Sequence, residues 1–320
     1  MSPAPPPLRI AVTGASGFCG SHIALAAARF ADVVCVGRRP GPVGRHVPWD
    51  AAREAPGLAG ADVIVHCAAA VGDPAPGSRA EALMRAVNVD GTARLMDAAA
   101  GRPVVWISSA SVYDPRADRS LVREDHPVSG QLNAYGRTKA AGERLALDAG
   151  AVVLRPRAVY GPGDPHLLPR LRSRVRAGTL LLPGPDVPLS LTAVENLADA
   201  ALAAPGWPPG AYNIADAVAH GRDAALRRVL RAHGVRARIR HLPLGLARSA
   251  ARAAEAAARL RPDAEAALSR YAVDQLAHPV VLDTGKARAQ GWLPRRTLDD
   301  HLADVAGTAG RTGDRDHDRP

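Results

Sequence analysis

Short apolar runs alternate with amphipathic stretches along the first half of the chain. Each run is bounded by glycine, proline or charged residues, as buried parallel strands are. Stretches in which apolar residues recur at helical spacing separate these runs, first after Gly20 and later over residues 78–100. This alternation predicts an α/β protein with a doubly wound parallel sheet. The predicted strands are residues 8–12, 32–37, 45–49, 62–70 and 103–109.

Beyond residue 157 the pattern predicts short strands at 189–191 and 210–214, with a helix at 194–204 between them. Residues 243–260 have helical spacing and could pack on their own domain, cover an apolar substrate or lie on a membrane surface. Both signs of charge and many alanines favour packing. We predict a large α/β domain over 8–160, completed by parts of 185–215, and a smaller α/β domain over 161–306.

Composition narrows the class of protein. With 320 residues, 47% of them apolar, the chain can bury a large core, whereas residues 1–7 and 307–320 predict unfolded tails. The formal charge is +10, but only Lys139 and Lys286 are lysines, and no aromatic residue interrupts the basic stretch 222–240. We therefore expect no nucleic-acid partner.

The three cysteines, at positions 19, 35 and 67, lack CxxC spacing, which argues against a metal site and a disulfide framework. They suit a reducing compartment, so we expect a cytoplasmic protein. The apolar runs are too short for a membrane span, and the N-terminus lacks the pattern of a signal peptide.

Glycines at 14, 17 and 20 follow the first predicted strand. Gly14 permits a tight turn, Gly17 lets the backbone approach a pyrophosphate, and Gly20 lets the next helix pack closely. A phosphate there would accept hydrogen bonds from the free N–H groups of the helix. The turn predicts dinucleotide binding, although a simple turn is the alternative for this spacing alone. The same site includes Ser16, Phe18 and Cys19.

Arg38 and Arg39 follow the second strand, where an NAD-preferring site usually has a carboxylate for the ribose 2′-hydroxyl. A guanidinium can instead pair with a 2′-phosphate. We expect NADP(H) to be favoured over NAD(H); ordinary surface charges are the alternative. Asp50, at the end of the third strand, is expected to accept from the adenine amino group.

Small residues follow the fourth strand. Ala68 and Ala69 would let the cofactor lie across its carboxyl end. We include Asn88 in the cofactor site, because its amide could tie neighbouring backbone groups together. His66, within an apolar strand, is expected to be a packed neutral histidine.

The candidate chemistry lies at Ser109, Tyr135 and Lys139. Tyr135 and Lys139 stand four residues apart on one helix face, and Ser109 closes the fifth strand. Tyr135 would exchange a proton with the substrate oxygen, which Ser109 would polarise. A phenol has a pKa near 10, and lowering it to about 7 takes about 4 kcal/mol, which Lys139 and an oxidised nicotinamide could supply.

In this order the motifs resemble the extended short-chain dehydrogenase/reductases, also called the NAD-dependent epimerase/dehydratase family. The likeness covers residues 8 to about 305, including 62–70, 88–92, 108–113, 135–139 and 154–163. It implies a Rossmann domain, a C-terminal substrate domain, a catalytic Ser109/Tyr135/Lys139 triad and Pro156 near the nicotinamide. It also implies a homodimer formed through the helix that begins near residue 133. We further expect Ser111 and Tyr160 to contact a small-molecule substrate.

Departures from the family pattern narrow the subgroup. Dehydratases carry an Asp-Glu pair where this chain has Ala110 and Ser111, which argues against elimination. Nucleotide-sugar epimerases usually have Asn and Arg where Ala158 and Leu189 stand here. Residues 167–170, 188–196, 268–271 and 282–288 look more like the branch of 3β-hydroxysteroid dehydrogenases and related ketoreductases.

Three functions are considered. The first is an NADP(H)-dependent oxidoreductase that interconverts a secondary alcohol and a ketone on a small, fairly apolar molecule. The second is an epimerase that uses the same triad, possibly on a nucleotide sugar. The third is a non-catalytic nicotinamide-binding regulator, against which the retention of all three triad residues argues.

Overall fold

A computed structural model describes residues 7–165, 167–259 and 268–313 of the chain. The strands are β1 (Arg9–Thr13), β2 (Asp32–Gly37), β3 (Arg45–Pro48), β4 (Val63–His66), β5 (Val104–Ile107), β6 (Val152–Pro156), β7 (Val159–Tyr160), β8 (Val175–Arg176), β9 (Thr179–Pro183), β10 (Pro188–Leu189), β11 (Thr192–Ala193), β12 (Gly210–Ile214), β13 (His220–Gly221) and β14 (Arg238–Leu242). The helices are α1 (Phe18–Ala27), α2 (Arg79–Arg85), α3 (Gly91–Ala99), α4 (Ala134–Asp148), α5 (Leu167–Arg174), α6 (Val194–Ala203), α7 (Arg222–Ala232), α8 (Leu244–Arg259), α9 (Arg270–Ala277), α10 (Gly285–Arg288) and α11 (Leu298–Gly313).

The main sheet has seven parallel strands in the order β12-β6-β5-β4-β1-β2-β3. The strand order reverses between β1 and β4, so a crevice opens at the carboxyl ends of these two strands. The predicted parallel sheet is confirmed. Strand boundaries shift by one or two residues elsewhere, and the largest difference is at β4, which ends at His66 while residues 67–70 continue as a loop.

Apolar cores lie on both faces of the sheet. Ile23 of α1 and Leu197 of α6 belong to the core on one face, whereas Leu95 of α3 and Ala146 of α4 belong to the core on the other. Burial on both faces explains why the strands are continuous apolar runs rather than alternating ones. The doubly wound fold is therefore confirmed.

The smaller part of the chain has its own core. Its sheet has the order β14-β9-β8, and Leu180, Leu226 and Leu298 pack there with residues of α5 and α7. The strand β12 returns to the main sheet beside β6, as predicted. Helix α8 matches the predicted helix up to residue 259, and residue 260 lies outside the described residues. None of the helices within the described ranges is long and apolar enough to cross a bilayer.

Two predictions about helices need correction. The predicted helix over 78–100 is divided by a wide π turn at Ala86–Asp90 between α2 and α3. The predicted tail boundary at residue 307 was wrong, because α11 continues to Gly313. Asp299 and Asp300 in its first turn favour the helix through its dipole. The remaining tail residues, 1–6 and 314–320, lie outside the described residues.

A buried ion pair between Glu143 and Arg155 joins α4 to the sheet. Arg155 Nη2 donates to Glu143 Oε1 at 2.5 Å, and the side chains of Arg155 and Glu143 are 4% and 2% exposed, respectively. Arg155 Nη1 also donates to the Tyr113 hydroxyl at 2.9 Å, which in turn donates to Asn213 Oδ1 at 2.6 Å. The pair therefore connects α4, β6, β12 and the segment after β5.

Replacing Glu143 with Gln is expected to lower the free energy of unfolding by about 3–5 kcal/mol, because a buried guanidinium would lose its counter-charge. Urea unfolding followed by circular dichroism measures this loss. The double variant Glu143→Met/Arg155→Met should recover at least half of it, since neither charge remains.

The matched control is Glu81→Gln, which removes a more exposed pair between Glu81 of α2 and Arg137 of α4, the helix that carries Glu143. It should change the free energy of unfolding by no more than about 1 kcal/mol. Equal losses for Glu143→Gln and Glu81→Gln would contradict the assigned role of the buried pair.

Candidate active site

The glycine turn after β1 is closely packed. Gly14 has φ of 66°, and its N–H donates to Val36 O at 2.9 Å. A Cβ at Gly14 would lie 2.8 Å from Ala68 Cα, and a Cβ at Gly20 would overlap Gly14 O. Glycine is thus required at 14 for the turn and at 20 for helix packing, as predicted. The short distance between Gly14 and Ala68 also shows that the loop after β4 packs directly against the turn.

Helix α1 begins at the mouth of this turn. Gly17 is its N-cap and supplies no side-chain cap. Ser16 and Gly17 are exposed, and Phe18 and Cys19 are half-buried. The first N–H groups of α1 therefore have no side-chain acceptor, which fits a pyrophosphate at this end of the helix. Burial and the charge of Asp164 raise the pKa of Cys19 to about 11, so its thiol is neutral.

Arg38 and Arg39 are exposed immediately after β2, whose Val36 is bonded to the glycine turn. Neither guanidinium forms an ion pair with a carboxylate in the part of the chain that the structure describes. The two side chains are therefore free to meet an anion beside the turn.

Asp50 lies two residues after β3, and its carboxylate already contacts residues of the turn that follows. Its Oδ1 accepts from the N–H of Ala52 at 3.0 Å, and its Oδ2 lies 3.4 Å from Arg53 Nε. The carboxylate is partly exposed, so its contact with adenine stays a prediction.

Asn88 positions the loop after β4 rather than a ligand. Its Oδ1 accepts from Ala70 N at 2.7 Å, and its Nδ2 donates to Ala70 O and to Thr138 Oγ1, both at 3.0 Å. Both amide protons are used and the side chain is buried, so Asn88 ties neighbouring backbone groups together, as predicted, and its contribution to the cofactor site through this loop stays a prediction. The half-buried Ala68 and Ala69 of this loop remain candidates.

The catalytic candidates Ser109 and Tyr135 lie together. Asn133 caps α4, with its Oδ1 accepting from Gly136 N at 2.9 Å, and this places Tyr135 in the first turn of the helix. Ser109 follows β5 and lies close enough to the Tyr135 phenol to lower its pKa. The structure thus combines a hydroxyl and a phenol from segments 26 residues apart.

Lys139 lies one turn further along α4 and is almost fully buried. Its Nζ donates to Ile107 O at 2.6 Å and lies 3.6 Å from the centroid of the Trp106 ring. Burial lowers the pKa of Lys139 to about 7, against the raising effect of Glu143. The described residues give its three protons one hydrogen-bond acceptor, so two remain for the hydroxyls of a nicotinamide ribose.

The expected low pKa of Tyr135 is not found. Burial raises the pKa of this phenol, Tyr271 and Cys19 raise it further, and the influence of Ser109 is smaller and opposite. The physical reason is that the Lys139 ammonium points to Ile107 O and Trp106. In the chain by itself, Tyr135 is therefore a protonated phenol.

Two residues near the site were missed from the sequence. Tyr271 of α9 lies close enough to Tyr135 to raise its pKa. Arg157 follows β6, is 6% exposed, and donates to Ser190 O at 2.9 Å and to Gln275 O at 3.1 Å. Its buried Nε has no partner among the described residues. In the sequence, Arg157 could have been identified as a charged residue that directly follows an apolar strand.

Tyr160 does not face the substrate, which corrects the prediction. It is 2% exposed, and its hydroxyl donates to Asp216 Oδ2 at 2.7 Å. Asp216 Oδ1 also accepts from Asn196 Nδ2 at 2.8 Å, so this tyrosine belongs to the core of the smaller domain.

The predicted contact of Ser111 with the substrate and the predicted place of Pro156 near the nicotinamide stay predictions. Ser111 follows Ser109 in a short 3₁₀ turn, and its buried Oγ has no partner among the described residues. Pro156 is the buried last residue of β6. His66 is packed as predicted, 2.7 Å from Thr13 Oγ1, and burial lowers its pKa to about 3. Within the described ranges, His, Cys, Asp and Glu form no metal-binding group of three.

Known proteins resemble this chain over most of its length. The profile of the NAD dependent epimerase/dehydratase family matches residues 10–215. A 4-hydroxy-2-methyl-3-oxo-4-farnesyl-3,4-dihydroquinoline-1-oxide ketoreductase from Stigmatella aurantiaca is 30% identical over 270 residues, which are 80% of each chain. The decarboxylating sterol-4-alpha-carboxylate 3-dehydrogenase of Mus musculus is 30% identical over 155 residues, covering 44% of this chain and 42% of the relative.

Solved structures agree with the fold. MoeE5 in complex with UDP-glucuronic acid and NAD has a TM-score of 0.72 and 25% identity, covering 95% of this chain and 99% of that chain. The family match includes the glycine turn, Ser109, Tyr135 and Lys139. The chain is an NAD(P)-dependent enzyme of the oxidoreductase and epimerase type, and it belongs to the NAD-dependent epimerase/dehydratase family.

Proposed function

We propose that the protein reduces a ketone to a secondary alcohol, and catalyses the reverse oxidation, on a small and fairly apolar molecule with NADP(H) as cofactor. The observation that carries this proposal is the protonated phenol of Tyr135 beside Ser109. The phenol carries a proton that it can give to a carbonyl oxygen, and because burial makes it a weaker acid, positive charge at Lys139 is needed to ease that transfer. The ketoreductase from Stigmatella aurantiaca supports the same reaction class.

Each catalytic side chain has one task. Ser109 donates a hydrogen bond to the carbonyl oxygen and orients it toward Tyr135. Tyr135 gives its proton to that oxygen as negative charge develops on it. Lys139 holds the ribose hydroxyls and keeps positive charge below the site. A nicotinamide bound there supplies the hydride in reduction and accepts it in oxidation.

The preference for NADP(H) rests on Arg38 and Arg39. Both guanidiniums are exposed next to the glycine turn, and no acidic residue directly follows β2. A 2′-phosphate would give them a bidentate partner, whereas the 2′-hydroxyl of NAD(H) would not.

The alternative is an epimerase, and the likeness to MoeE5 favours it. Two positions argue against a nucleotide-sugar epimerase. Leu189 is 6% exposed within β10 and offers no cation to a diphosphate. Ala158 has φ of 46°, a left-handed conformation that suits Asn better than Ala, and its methyl group cannot bind a phosphate.

We also propose that residues 161–306 bind most of the substrate and that the chain works in the cytoplasm as a homodimer formed through α4. The family resemblance supports the dimer, and the absence of CxxC spacing among the three cysteines supports the compartment.

Tyr135→Phe should lower kcat for ketone reduction by about 10²- to 10⁴-fold, because the proton donor is lost. Binding of NADPH, measured by its fluorescence, should be retained. Tyr212→Phe is the matched control. Tyr212 lies on β12 at the edge of the main sheet, where its hydroxyl donates to Pro208 O. Full turnover by Tyr135→Phe would show that another group donates the proton.

The variant Arg38→Asp/Arg39→Ala should shift the ratio of kcat/KM for NADPH to that for NADH by at least about tenfold toward NADH, because an aspartate repels the 2′-phosphate and accepts from a 2′-hydroxyl. Arg29→Asp, an exposed change after α1, is the control and should leave the ratio unchanged. An unchanged ratio in the double variant would refute the phosphate clamp.

A further inference from the structure

A cavity of about 480 Å³ lies between the 115–119 loop, α8 and α9. Its volume is in the range of small-molecule sites. The charged side chains that line it are mainly cationic, since Asp118 and Asp274 face five arginines. These arginines are Arg116, Arg119, Arg248, Arg252 and Arg270.

Three of the five arginines already have a carboxylate. The pairs are Arg119 with Asp274 at 2.8 Å, Arg116 with Asp114 at 2.5 Å, and Arg270 with Glu255 at 2.8 Å. Arg119 is nine-tenths buried, so its pair forms the inner wall of the cavity. These three carboxylates, among them Glu255 of α8, are each paired with another arginine, so none of them forms an ion pair with Arg248 or Arg252.

Arg248 and Arg252 make up that side. They stand four residues apart on α8 and share one face of the helix. Arg248 Nη2 lies 3.4 Å from His278 Nε2, and neither arginine forms an ion pair with a carboxylate among the described residues. Two like charges at this spacing repel each other, and an anion between them would relieve the repulsion.

The cavity lies near the catalytic residues. Asp274 lines it and is close enough to Tyr271 to raise the pKa of that phenol, and Tyr271 has the same effect on Tyr135. Leu132 lines it and lies three residues before Tyr135. The 115–119 loop continues from the turn that holds Ser109 and Ser111. Val273 lines the cavity on α9, two residues after Tyr271. A molecule with its carbonyl at Tyr135 can therefore extend along Leu132 and Val273 to the arginines.

We propose that this cavity binds an anionic group of the substrate, a carboxylate or a phosphate, through Arg248 and Arg252. The substrate is then an apolar ketone or secondary alcohol with an anion at the end away from the reacting carbon. This inference rests on the proposed reductase function and names the substrate class of that site.

The test uses ketones that differ only at the far end: 7-oxooctanoate, its methyl ester and 7-oxooctyl phosphate. With the full-length protein and NADPH, kcat/KM for one of the two anions should exceed that for the ester by at least about tenfold. The variant Arg248→Gln/Arg252→Gln should lose this advantage and keep its kcat/KM for the ester. The better anion identifies which group the cavity takes.

The control variant Arg227→Gln/Arg231→Gln removes two exposed arginines with the same spacing from α7, which does not line the cavity. It should retain the preference for the anion. Equal kcat/KM for the ester and both anions, or equal loss in both double variants, would overturn the anion site while leaving the reductase function intact.

Calorimetric titration with 7-oxooctanoate and with 7-oxooctyl phosphate separates the two proposals. If an anion binds the wild type but not Arg248→Gln/Arg252→Gln, and no ketone is reduced, the anion site stands and the proposed reaction fails. If the anions neither bind nor react, the anion site is refuted.

Discussion

The buried ion pair between Glu143 and Arg155 sets the position of the catalytic elements. Glu143 stands one turn after Lys139 on α4, and Arg155 directly precedes Pro156 at the end of β6. Ser108 Oγ donates to the Glu143 carboxylate, and Ser108 directly precedes Ser109. One ion pair thus touches each of the three elements that carry the site. Its low exposure makes the geometry rigid, because neither charge can leave the other without a large cost.

The Glu143 carboxylate also affects the protonation of Lys139. Burial favours a neutral Lys139, and Glu143 opposes this by favouring the ammonium form. Burial also keeps the Tyr135 phenol protonated. The chain therefore holds a protonated phenol at Tyr135 and, at Lys139, an amine whose pKa of about 7 lets Glu143 and a bound ligand decide its charge. This arrangement is suited to a reduction in which negative charge develops on oxygen.

Local features of the fold could be predicted from the sequence. The strand, glycine turn and helix around Gly14 follow from residues within one short segment, and so does the shared face of Tyr135 and Lys139 on α4. The errors concern partners that are distant in sequence. The Tyr160 hydroxyl, for example, donates to Asp216, which is 56 residues away.

The arginine cavity could not be predicted for the same reason. Its wall combines the 115–119 loop with residues of α8 and α9, and periodicity cannot show that these segments meet. The prediction of a low pKa for Tyr135 failed because it depends on the direction of a side chain. The spacing of Tyr135 and Lys139 fixes their common helix face, but the direction of the ammonium depends on Ile107 O and Trp106 from β5.

Transfer of deuterium from NADPH labelled at the nicotinamide C4 tests the central claim most directly. The assay uses a panel of apolar ketones, with and without an anionic end, and nucleotide-sugar ketones. We predict stoichiometric consumption of NADPH with an apolar ketone and deuterium at the new carbinol carbon. Inversion of an alcohol centre without net consumption of cofactor would contradict the account and identify the protein as an epimerase.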